Sequence, residues 1–190
     1  MPAADGVDQA AFRAAIAHFA TGVTVITTVH DGKPAGMTAS AVASLSVNPV
    51  LLLVCIDNRL PTHEAIQNSR RFVVNVLGEG QEELALGFAR PSADKFAGVA
   101  LEADHELPVL SDAIAHFVCD LHERFPGGDH SIFTGLVRSC AALPGKRPLV
   151  YFRSTFGSLH DDEGEQLRDQ LGWDMPSLSG IGDLRRPPDR

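Results

Sequence analysis

Asp8 precedes Phe12, Ile16 and Phe19, apolar positions at helical intervals, and Gly22 lies just beyond them. This spacing predicts an amphipathic helix capped by Asp8. The period then changes. Gly22-Val-Thr-Val-Ile-Thr-Thr-Val29 is β-branched and alternating, which predicts a strand. Asp31-Gly32 predicts a hairpin turn, followed by an extended stretch from Ala35 to Ser46. Asn48-Pro49 breaks that stretch, and the apolar run Val50 to Ile56 predicts a buried strand. Pro61 to Ser69 reads as a short helix with proline in its first turn. Arg71 to Leu77 reads as a strand, Glu79 to Arg90 as a helix, and Pro91 to Asp112 as irregular chain. Ala115 to Arg124 and His130 to Ala142 predict strands either side of a Pro126-Gly-Gly-Asp129 turn. Pro148 to Phe152 is the last predicted strand.

About seven strands with few helices point to a mainly β, mostly antiparallel domain over residues 8–159, and such sheets often close into barrels. Regular strand–helix alternation, which a doubly wound fold needs, is absent. From residue 160 the composition shifts to an acidic run, Asp161 to Glu165, and a proline-rich end. Residues 160–190 therefore read as a loosely held extension. Its Leu167, Leu171, Trp173, Met175 and Leu178 offer a surface for docking on the domain or on a partner subunit.

The charge is −8, which argues against nucleic acid as a partner. The longest apolar run is far short of the roughly 18 residues that a membrane span requires. Cys55, Cys119 and Cys140 form no CxxC pair and sit among apolar neighbours. They read as buried free thiols of a cytoplasmic protein rather than as disulfides or zinc ligands. His116 and His122, six residues apart on a strand, are about 20 Å apart and cannot share a metal. No metal site is expected. Dinucleotide, P-loop, nucleophile-elbow and HExxH motifs are all absent.

What remains is a set of small and hydroxyl-bearing segments. Gly36-Met-Thr-Ala-Ser40 and Ser44-Leu-Ser46 let a planar ligand approach the backbone and offer it hydroxyls. Gly127-Gly-Asp-His130 delivers a histidine to a strand start, with Asp129 beside it to orient the ring. Arg90 and Lys95 place two cations in one loop, within reach of a phosphate.

Taken in order, these segments resemble the flavin reductase-like domain. The likeness also rests on Phe72-Val-Val-Asn-Val-Leu77, Asp94-Lys-Phe96, Gly128-Asp-His130-x-x-Phe133-x-Gly135-x-Val137 and Pro148-Leu-Val-Tyr-Phe-Arg153. It covers residues 10 to 159. The resemblance implies a split β-barrel of the FMN-binding type with a few peripheral helices, working as a homodimer. It implies NADH or NADPH as reductant of FMN or FAD, and an oxygenase component that receives the reduced flavin. A flavin-binding protein of the same fold without turnover is the alternative. By the same resemblance, Met37, Thr38, Ala39, Ser40, Ser44, Leu45 and Ser46 bind the ring and ribityl chain. Cys55, Ile56 and Asp57 line the ring, Thr62 helps hold the phosphate, and Phe88, Ala89 and Arg90 form a flavin-contacting loop. His130 lies on the nicotinamide side. Lys33, Arg59 and Lys95 are the cations available to a ribose 2′-phosphate. Phe156 stands where the family often has tyrosine, so no role falls to it.

Overall fold

The computed structural model describes residues 6–92 and 94–159. The chain starts with helix α1, Gln9–Ile16. The Asp8 carboxylate accepts from the Ala11 N–H at 3.3 Å, satisfying one of the free donors of the first turn. Within this chain α1 buries none of its residues; Phe12, Ile16 and the following Phe19 are 59%, 51% and 69% exposed.

The first β-branched run is two strands rather than one. β1 is Thr21–Gly22 and β2 is Thr24–His30. Between them the Val23 N–H donates to Leu149 O, and Val23 O accepts from the Leu77 N–H. Asp31 and Gly32 take φ of 49° and 73°, the left-handed pair of a two-residue turn, and lead into β3, Lys33–Ala39. The extended stretch foreseen from Ala35 to Ser46 breaks at Ser40-Ala41, and β4 is Val42–Val47. A cis Asn48-Pro49 bond turns the chain into β5, Val50–Asp57. Helix α2, Pro61–Ser69, has proline at its start and ends at Arg70 in the left-handed region. β6 is Arg71–Val76, and helix α3, Glu82–Ala89, begins three residues later than composition implied. Gln81 Oε1 there accepts from the Gly78 N–H at 2.7 Å. β7, Ala115–Gly127, and β8, His130–Ala142, form a long hairpin that draws Pro126 and Gly127 into the strand. β9 is Val150–Phe152; β10, Thr155–Gly157, had no counterpart in the sequence pattern.

Seven strands form one antiparallel sheet in the order β3-β2-β6-β7-β8-β5-β4, and β1-β9-β10 form a small second sheet. One core cluster gathers Ile26 of β2, Val54 and Ile56 of β5, Phe72 and Val74 of β6, Cys119 of β7 and Phe133 of β8. Met37 of β3 packs against it. Residues from six strands meet there, so the sheet curls around its interior, and Ile66 of α2 enters the same cluster. Each such side chain contributes about 1.5–3 kcal/mol on burial. Gly135 of β8 is required at this centre, since a Cβ there would lie 2.5 Å from Phe72 Cζ. Among the described residues the end strands β3 and β4 pair with no further strand, which leaves a seam in the curl.

Two expectations change. β5 is buried on one face only: Leu52, Val54 and Ile56 enter the core while Leu51, Leu53 and Cys55 are half-covered on the other face. An apolar run cannot reveal that one of its faces waits for a partner. The cysteines are not uniformly buried either. Cys119 is, and burial pushes its thiol up to about 12, but Cys55 is intermediate and Cys140 is exposed. All three are free. No helix among the described residues is long and apolar enough to cross a membrane. The extension at residues 160–190, with Trp173 and Met175, lies outside the described residues.

Candidate functional site

The seam brings the predicted segments into one line. At its centre the chain bends from β3 into β4, where Ala41 O accepts from the Cys55 N–H at 2.9 Å and ties the bend to β5. On one flank α3 packs against β3. Thr38 Oγ1 donates to Ala85 O at 2.5 Å, and Gly36 lies so close to Phe88 that a Cβ would sit 2.9 Å from its ring. On the other flank β5 runs to Asp57, which pairs across the sheet with His130 of β8.

A cavity of about 1040 Å³ opens along this line. Ser40, Ala41, Ala43, Ser44 and Ser46 form one wall, Leu51, Leu53 and Cys55 another, and Ile16 and Phe19 a third. Arg13 is the one charged residue in its lining among the described residues. Thr21 Oγ1 is buried in its wall with no hydrogen-bond partner there. β4 is an edge strand, so its outer N–H and C=O groups are free to pair with a ligand. The volume lies at the upper end of what small-molecule sites use. A large, mostly apolar ring with amide-like edges fits this donor and acceptor set.

Not every predicted residue reaches the cavity. Ser40, Ser44, Ser46 and Cys55 line it, while Met37, Thr38 and Leu45 lie beside it on the same strands. Ala39, Ile56 and Phe88 are buried in the core. Thr62 is 4% exposed in the first turn of α2. Ala89 and Arg90 are exposed at the end of α3.

The cations sort themselves by partner. The Lys95 ammonium donates to Phe88 O at 2.7 Å and to Gly36 O at 3.2 Å, and burial lowers its pKa. It braces α3 against β3. Arg59 donates to both Asp57 oxygens, at 3.1 and 2.7 Å. That bond holds the Asp57 carboxyl far below the usual carboxylate range. Arg90 has no such tie among the described side-chain bonds and remains the cation at the α3 end.

His130 is held as its sequence neighbour suggested. Its Nδ1 lies 2.7 Å from Asp129 Oδ1, which lowers the Asp129 pKa, and its ring is 43% exposed. Behind it runs a hydrogen-bond chain that sequence reasoning missed. Arg124 donates to Gln67 Oε1 at 2.7 Å, and Gln67 Nε2 donates to His63 Nδ1 at 3.1 Å. His63 Nε2 then meets Ser131 Oγ at 2.9 Å, and Ser131 donates to Asn58 Oδ1 at 2.7 Å. The directions are consistent only if His63 is neutral with its proton on Nε2. Burial lowers its pKa and favours that form. Asn58 is fixed further by its own N–H, which donates to Asp129 O at 3.0 Å. The chain thus braces the turn 57–59 against the strand that carries His130. Its members are scattered over three elements, so no sequence spacing marks them.

The flavin reductase like domain matches residues 16–160. The reductase component of a 4-nitrophenol 4-monooxygenase/4-nitrocatechol 2-monooxygenase from Rhodococcus opacus is 46% identical over 151 residues, covering 80% of this chain and 81% of that one. Among solved structures, nitrilotriacetate monooxygenase component B from Mycobacterium thermoresistibile superposes with a TM-score of 0.79 at 36% identity, over 82% of this chain and 89% of that one. An NADH:FAD oxidoreductase from Streptomyces globisporus, solved with NAD and FAD fragments, gives 0.78 at 33% identity, over 84% and 99%. The seam, its hydroxyl-lined wall and the braced histidine are therefore features of a chain that belongs to the flavin reductase like domain family.

Proposed function

We propose that this chain is the NADH-dependent flavin reductase of a two-component monooxygenase, acting as a homodimeric split β-barrel in the cytoplasm. The observation that carries the reading is the seam: the outer edge of β4 and three serines bound an apolar cavity, and β5, which also lines it, pairs at its end with the oriented histidine of β8. The match to reductase components of monooxygenases, and to an oxidoreductase of NADH and FAD, supports the substrates. Three free thiols suit a reducing compartment.

When bound, a flavin supplies the hydride acceptor at N5, so that NADH leaves as NAD⁺ and the reduced flavin leaves for the oxygenase. The chain's own work is binding and orientation. Ser40, Ser44 and Ser46, with the outer edge of β4, hold the ring and its ribityl chain. Their N–H and O–H groups would stabilise the negative charge that develops on a reduced flavin. Arg90 would meet the phosphate, helped by Thr62, which is 4% exposed in the first turn of α2. His130, aimed by Asp129 and backed by the Asn58 brace, positions the nicotinamide so that two rings stack at about 3–3.5 Å. Of the three cations available to a 2′-phosphate, Arg59 is committed to Asp57 and Lys95 to backbone carbonyls, which leaves Lys33, and the likeness to an NADH:FAD oxidoreductase supports NADH.

NADH and NADPH oxidation followed at 340 nm, with no flavin, FMN or FAD added, tests this. Flavin-dependent oxidation of NADH is expected. His130→Asn should raise KM for NADH or lower kcat about tenfold, with flavin affinity retained. No oxidation by a protein that holds flavin tightly would establish the non-catalytic flavin carrier instead.

A further inference from the structure

On the opposite face of the main sheet from the cavity, three metal-ligating side chains meet. In β6 and β7, Val74 and Phe117 face the cavity, while Val73 and Val118 pack beneath the 91–114 loop with Leu107 and Val109. His116 lies on this second face of β7, and the loop brings Glu102 and His105 over it. One ligand atom from each lies within 4.8 Å of the others. Glu102 Oε2 is 3.0 Å from His105 Nε2, and Glu102 Oε1 is 3.7 Å from His116 Nδ1. The two imidazoles meet edge to face, 5.4 Å between centroids.

Two imidazoles and a carboxylate are a zinc donor set. Around a tetrahedral zinc with bonds of about 2.0–2.1 Å, neighbouring ligand atoms are about 3.3 Å apart. The 3.0 and 3.7 Å separations run to the two different oxygens of Glu102, one facing each imidazole, so closing the site takes a rotation of the carboxylate and rings that draws one ligand atom of each residue, now within 4.8 Å of the others, to that edge. The backbones that carry His116 and Glu102 are already fixed. His116 is paired with Asn75 on one side and Ala141 on the other. The Glu102 N–H donates to Val109 O at 2.9 Å, Leu101 bridges Leu110, and the Leu110 N–H donates to Asn75 Oδ1 at 2.9 Å. The side chains of His116, His105 and Glu102 are 11%, 27% and 36% exposed. The cluster is closed below by the sheet and reaches solvent above through His105 and Glu102.

We propose that Glu102, His105 and His116 form a binding site for a divalent transition-metal ion of the zinc type, which clips the 91–114 loop to the sheet. Sequence spacing hides it. Glu102 and His105 share a loop, but the third ligand comes from a strand eleven residues on, and only folding brings it back. The site is separate from the cavity, and its test does not depend on the reductase reading.

Tag-free protein stripped with chelator is titrated with Zn²⁺ by calorimetry and with Co²⁺ by visible absorbance, alongside Glu102→Gln and His105→Ala. Both variants lie in the loop, and their metal-free melting temperatures should match that of the wild type. Expected are one Zn²⁺ per wild-type chain, a tetrahedral Co²⁺ spectrum, and binding weakened at least about tenfold in each variant. At a hundredfold excess over Kd the melting temperature should rise by about 5–10 °C in the wild type alone. Absence of binding would overturn the proposal and leave an ion-pair cluster. Equal binding in wild type and variants would overturn it too, by placing the metal on other histidines.

Discussion

His63 is a residue whose environment decides its protonation. It is buried, accepts from Gln67 and meets Ser131, an arrangement that suits only the neutral ring. Burial first, and the Arg124 charge second, lower its pKa from the ordinary value of 6.5. A lowered histidine pKa means that the unfolded chain binds the proton more readily. The stabilisation is therefore complete above pH 6.5 and is lost as pH falls through the unfolded value toward the folded one. One such group contributes a slope of at most about 1.4 kcal/mol per pH unit. Melting temperatures measured from pH 7.5 to 5.5 should fall more steeply in the wild type than in His63→Gln. Parallel curves would show that His63 is not the titrating group. His130, by contrast, stands in the open, and its cue was local: the Gly-Gly turn and the aspartate beside it were both visible in the sequence.

At the scale of elements, most of the fold was written in periodicity, and the departures have physical causes. The hairpin at Asp31-Gly32 and helix α2 were legible because turn and cap chemistry is local. The split of the Gly22–Val29 run at Val23 was not, because it depends on which strand captures each half, and those partners, β9 for β1 and β6 for β2, lie 46 residues away or more. The serine segments were visible, but the seam that gives them meaning is a property of strand order. The 91–114 loop read as irregular, yet it is pinned. Asn75 is fully buried; its Nδ2 donates to Val25 O at 3.0 Å and to Thr27 Oγ1 at 3.1 Å, and its Oδ1 holds the Leu110 N–H. Thr27 Oγ1 in turn donates to Pro108 O. Asn75→Ala strands Val25 O of its side-chain donor and leaves the Leu110 N–H unpaired under the loop. A loss of about 2–3 kcal/mol is expected in urea unfolding, with faster amide exchange at Leu110. Unchanged exchange there would mean that the loop is held by its apolar contacts alone.

For the whole molecule, the decisive feature is apolar surface that the described residues leave uncovered. Phe19 of the segment after α1, Val47 of β4 and Val50 of β5 are all exposed, and all three line the same cavity. Cys140 and Tyr151 lie in that lining as well. A stable interface needs about 800 Å² per partner, and a continuous patch of this kind is the usual mark of one. A second copy laid on it would close the cavity from outside and supply the wall that the seam lacks. Each copy carries a charge of −8, so association works against repulsion and should strengthen as salt rises. Sedimentation should therefore give twice the 20.3 kDa chain mass. Phe19→Glu and Val47→Glu place a carboxylate in the buried patch while altering side chains that the isolated chain leaves in water. Both variants should sediment as folded monomers and lose flavin-dependent NADH oxidation together with the dimer. A variant that becomes monomeric and keeps full activity would show that one chain completes the site by itself. A wild type that sediments as a monomer would remove the second copy altogether.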